Sequence, residues 1–108
     1  MKELFDRIAK ASKLDDATDS DMVLYIAEEV GEVSTCLAVG KGLKDKILSE
    51  PTESELCDVL ISSLGLLLRN NEWGYDEVVA QMSKKLERWE SRLNKKVQNG
   101  KNKGQDSV

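Results

Sequence analysis

The stretch from Thr52 to Asn70 constrains the fold more than any other part of the chain. It places Leu56, Val59, Leu60, Ile61, Leu64, Leu66, Leu67 and Leu68 on nearly every side of a helix. A helix that is apolar all round has to be buried. A chain of 108 residues has room for one modest core, in which about two-thirds of the unfolded surface is hidden. The helix therefore needs cover from other helices of the same chain and from a second copy, so an oligomer is expected.

The remaining segments supply those helices. Leu4, Phe5, Ile8 and Ala11–Ser12 recur at helical spacing between Lys2 and Lys13. Asp15, Asp16, Thr18, Asp19 and Ser20 interrupt the pattern and offer N-caps for a second helix from about Asp21 to Ala38. Val23, Ile26, Val30, Val33 and Leu37 form its expected core stripe, and Gly40 is the expected residue just past its end. Pro51 with Thr52-x-x-Glu55 reads as the start of the third helix, with a capping box. Asn70, Asn71 and Gly74 mark a turn. The fourth helix spans about Tyr75 to Lys96, with Val78, Val79, Met82, Leu86, Trp89 and Leu93 as its stripe. No pair of strands is legible. The sequence thus predicts an all-α fold, a four-helix bundle-like protomer in an oligomer. One domain covers residues 1–98, and a polar tail, 99–108, is expected to be disordered.

Composition excludes several kinds of chemistry. There is no histidine, which removes Ser-His-Asp and Cys-His nucleophiles, the usual zinc sites and Glu-x-x-His di-iron bundles. Cys36 and Cys57 lack a CxxC partner and read as small core residues, reduced in a cytoplasmic protein. With 20 acids against 16 bases the net charge is −4. No basic stripe covers the chain, so duplex nucleic acid is not an expected partner. No apolar run is long enough to span a membrane, and the acidic, interrupted N-terminus has no signal-peptide core, so a cytoplasmic location is expected.

The carboxylates carry the functional information. Glu29 and Glu32 are three residues apart on the second helix, beside Val30 and Val33, and Glu55 and Asp58 repeat that spacing on the third. Two readings fit. Such pairs can be a solvated helix face. Alternatively, packing of the two helices brings four carboxylates into one half-buried place, where like charges repel strongly in low dielectric. A hard cation such as Mg²⁺ or Mn²⁺ relieves that repulsion through oxygen ligands, and two such ions balance four carboxylates. Gly31 inside the first pair suits a close approach by another helix or a ligand.

The ordered motifs Glu29-Val-Gly-Glu32 and Glu55-Leu-Cys-Asp58, within LYIAEEVGEVSTCL and ESELCDVLISSLGLLL, resemble the MazG-like all-α nucleoside triphosphate pyrophosphohydrolases. The later KLERWESRL is similar to the family's closing, basic helix, so the resemblance runs from about Asp21 to Leu93. It implies Mg²⁺-dependent cleavage of a nucleoside triphosphate, a deoxy or non-standard one, between the α and β phosphates. The products are a monophosphate and pyrophosphate, and the role is house-cleaning. It further implies Glu29, Glu32, Glu55 and Asp58 as metal ligands and Glu28 as the general base. Lys85 and Arg88 match basic positions that contact phosphates. Trp89 departs from relatives with Asn or Arg there, which removes a polar contact to the nucleotide. Lys41, Lys44 and Lys46 lie on the loop between the acidic motifs, as a soluble loop or a phosphate cover. Two other functions fit the same residues: a non-catalytic helical dimerisation or regulatory module, and a hydrolase of another pyrophosphate-containing metabolite.

Overall fold

The computed structural model describes residues 1–43, 48, 50–70 and 72–106, with side chains as far as Lys101. Among the described residues the regular structure is entirely helical: α1 (Lys2–Leu14), α2 (Asp19–Gly40), α3 (Thr52–Leu68) and α4 (Tyr75–Asp106). Lys44 and Lys46 fall outside the described residues. No helix among those described is long and apolar enough to cross a membrane. The chain divides into two compact units, Met1–Gly74 and Tyr75–Val108.

In the first unit, α1 and α2 both pack on α3. The α2–α3 contacts step from Cys36–Glu50 to Glu29–Ser62, so the two helices run antiparallel. Ser12 and Asp15 meet Gly65 and Arg69, so α1 runs in the direction of α3. Phe5, Ile8, Met22, Cys36 and Leu68 form the buried core of this unit. Gly65 lets α1 approach: the Ser12 hydroxyl donates to the Gly65 carbonyl at 2.6 Å, and a Cβ on Gly65 would touch Ser12 and Ile8.

The caps differ from the sequence expectation in an instructive way. Thr18 and Asp21 form a reciprocal capping box at the start of α2. At its end Gly40 is still helical, and Gly42 takes the left-handed conformation, φ 74°. The Gly42 and Leu43 amides donate to the carbonyls of Val39 and Ala38, which is a Schellman ending that needs a residue tolerant of positive φ. At α3 the expected Thr52–Glu55 box does not form. Pro51 is the N-cap, with no side-chain cap bond, and Glu55 is turned inward and buried.

The exposed faces also correct the sequence reading. On α2, Val23, Val30 and Leu37 are about half exposed. The sheltered side keeps Ile26 and Val33 of the predicted stripe but takes Met22, Glu29 and Cys36 in place of Val23, Val30 and Leu37, with an acid at its middle. On α3, Leu56, Leu60 and Leu67 remain 41–61% exposed. Cys57, expected in the core, is exposed.

The second unit is α4. Met82, Leu86, Trp89, Leu93 and Val97 form an apolar stripe, each about half exposed. The helix runs from Tyr75 to Asp106. No proline interrupts it, and Lys95, Lys96 and Lys101 lie toward the end whose dipole attracts cations.

Arg69 ties the corner of the first unit. Its side chain is 12% exposed; Nη2 donates to the Asp15 carbonyl at 3.1 Å, and Nη1 lies 3.5 Å from the Asp19 carboxylate. The single residue thereby anchors the end of α1 and the start of α2 to α3. Arg69→Ala is expected to lower stability by about 1–2 kcal/mol in urea denaturation. Asp19→Asn, which removes only an exposed ion-pair partner, should change it by less than about 0.5 kcal/mol. Equal losses in the two variants would contradict this role.

Candidate metal centre

The antiparallel α2–α3 pair puts the two acidic motifs opposite each other. Glu55, 7% exposed, lies at the centre of the group. Its carboxyl is pushed up from 4.5 to about 7: by a hydrogen bond with the Glu32 carboxyl, by burial, and by the negative charge of Glu32, Glu50 and Asp58. The raised Glu55 carboxyl holds its proton more readily than an ordinary glutamate, which lowers the repulsion among the like charges around it.

Glu50, Glu55 and Asp58 each offer a carboxylate oxygen, and these oxygens lie within 4.8 Å of one another. Two oxygens on one Mg²⁺, each about 2.1 Å from it, are at most about 4.2 Å apart. Neighbouring oxygens in an octahedral shell are about 3.0 Å apart, so the group would close in around an ion, and the exposed Glu50 has the freedom to move. Glu29 sits further along the same interface. Ser62 of α3 donates to Glu29 Oε1 at 3.1 Å. That leaves Glu29 Oε2 buried with no hydrogen-bond partner among the described residues, and Glu55 Oε2 is in the same condition. Buried carboxylate oxygens without donors are costly. An all-oxygen donor set with two such orphaned atoms suits a hard divalent cation and not a soft one.

The structure therefore brings Glu32, Glu55 and Asp58 together and lines Glu29 up along the same helix interface. Glu28 is exposed on α2. Lys85 and Arg88 belong to the second unit, where they share an exposed face of α4 with Lys84 and Arg92, flanked by Glu87 and Ser91. Among the described residues nothing lies within 4 Å of where a Cβ on Gly31 would stand, so no described helix of this chain approaches it closely. Glu50 was not legible as a site residue. Its only signal was an acid directly before Pro51, a position that the N-cap of α3 then fixes beside Glu55. No family model, curated protein or solved structure matches the chain.

Proposed function

We propose that this chain is a Mg²⁺-dependent nucleoside triphosphate pyrophosphohydrolase of the MazG-like kind, acting in the cytoplasm on deoxy or non-standard nucleotides and releasing monophosphate and pyrophosphate. The observation that carries the reading is Glu55: a buried carboxyl with an unpartnered oxygen, facing Glu32 across two helices and Asp58 one turn away. Structural carboxylates in a soluble face need none of these features.

In this reading Glu29, Glu32, Glu55 and Asp58 hold Mg²⁺, or Mn²⁺ in its place. The bound ion supplies charge neutralisation for the triphosphate and acidifies water. Glu28 accepts the proton of the attacking water. It lies about 100° around α2 from Glu29 but shares a face with Glu32, four residues on. Lys85 and Arg88 hold phosphate oxygens; a triphosphate brings about four negative charges to a chain that is already net acidic. The active form is a homo-oligomer, in which a second copy covers Leu56, Leu60 and Leu67.

A second reading has an observation of its own. The half-exposed stripe Met82–Leu86–Trp89–Leu93–Val97 on α4 suits a purely associative helical module. A panel of common and modified NTPs and dNTPs, assayed for pyrophosphate with Mg²⁺, separates them. Turnover of at least one nucleotide is expected. No turnover across the panel would favour the associative module. Release only from other pyrophosphate-containing metabolites would move the activity to a different substrate class.

A further inference from the structure

Glu50 stands outside both helical motifs, yet it is nearer to their acids than sequence spacing suggests. It is exposed and precedes the N-cap Pro51. The Ser54 hydroxyl donates to its Oε2 at 3.1 Å, and its backbone carbonyl lies 4.0 Å from the Cys36 sulfur of α2. These contacts hold it at the junction of α2 and α3, with an oxygen within 4.8 Å of Glu55 and Asp58. An acid at a helix N-terminus gains from the dipole, but that gain does not require it to face two more carboxylates. Glu55 Oε2, buried and unpartnered, is the independent sign that something is to be bound there.

We infer that Glu50 is a direct ligand of the divalent cation, closing with Glu55 and Asp58 a subsite that lies at the loop end of the α2–α3 interface. This rests on the metal-centre reading and adds to it a ligand from outside the paired helical acids. Geometry gives Glu50 a distinct part. Glu55 is buried and fixed on a helix, whereas Glu50 is exposed before the N-cap and can swing in to close the shell around an ion. It therefore sets how tightly the ion is held before any nucleotide arrives.

The test is a Mn²⁺ titration without nucleotide, followed by electron paramagnetic resonance, on wild type, Glu50→Gln, Glu50→Asp and Asp58→Asn. Metal-free melting is recorded beside each. Glu50→Gln is expected to weaken Mn²⁺ binding by at least roughly tenfold. Its metal-free melting temperature should not fall, because one of the repelling charges is gone. Glu50→Asp keeps the charge but shortens the reach, and should also bind measurably more weakly than wild type. Wild-type affinity in Glu50→Gln, with binding lost in Asp58→Asn, would overturn the role of Glu50 and leave the metal centre standing. So would a Glu50→Asp protein that binds as wild type, since charge alone would then suffice. No Mn²⁺ binding by the wild type would remove the metal centre itself.

Discussion

Asp58→Asn is expected to abolish pyrophosphate release, a loss of at least roughly 10³-fold. That exceeds the roughly 10–100-fold typical of residues that only orient a ligand. The substitution keeps the shape of the side chain and removes one charge beside Glu55. It costs the bound ion a ligand, while in the empty protein it relieves repulsion. The fold should therefore survive, with a metal-free melting temperature no lower than that of wild type. Glu29→Gln should behave alike in turnover, because its amide oxygen can keep the Ser62 bond while Oε2, the unpartnered atom, is lost as a ligand. Glu28→Gln is the contrast: as a base it should lower the rate by roughly 10²–10⁴ and leave Mn²⁺ affinity unchanged. Either ligand variant with near-wild-type turnover at saturating Mg²⁺ would defeat the assignment.

The metal-free protein should lose stability as pH rises from about 4.5 to about 7. The sign follows from Glu55, whose carboxyl titrates near 7 in the fold against 4.5 ordinarily. Between those values the folded chain holds a proton that the unfolded chain has released, so stability falls with pH. That contribution is complete below 4.5 and gone above about 7. The window is unusually clean, because the chain has no histidine to titrate in it. Glu55→Gln should flatten the dependence. Millimolar Mg²⁺ should raise the melting temperature more at pH 8 than at pH 5, since the ion and the Glu55 proton compete for the same carboxyl. Thermal melts across pH 5–8, with and without Mg²⁺, check both statements. A wild-type profile that is flat without metal would contradict the raised Glu55 carboxyl.

Four helices were legible because each carries its own period of apolar residues and its own punctuation, such as Thr18 before α2 and Pro51 before α3. Their facing was less legible. The stripe Val23–Val30–Leu37 is the more apolar one on α2, and hydropathy alone favours it. The face sheltered in the unit is the neighbouring one, because Ser62 and Glu29 pair across the interface. Hydropathy reads an acid as outward, and here Glu29 lies on the sheltered side. The same conflict hid the fate of Glu55: local spacing suits a capping box with Thr52, but burial opposite Glu32 prevails. Glu50 was invisible for another reason. Its place in the cluster depends on how the chain enters α3, and no periodicity records that.

The most direct test of the central claim follows the products of the preferred nucleotide by phosphorus NMR, with Mg²⁺ and with the metal chelated. Cleavage between the α and β phosphates predicts one pyrophosphate for each monophosphate formed, and no reaction once Mg²⁺ is removed. Inorganic phosphate with nucleoside diphosphate, or equal rates with and without Mg²⁺, would contradict it.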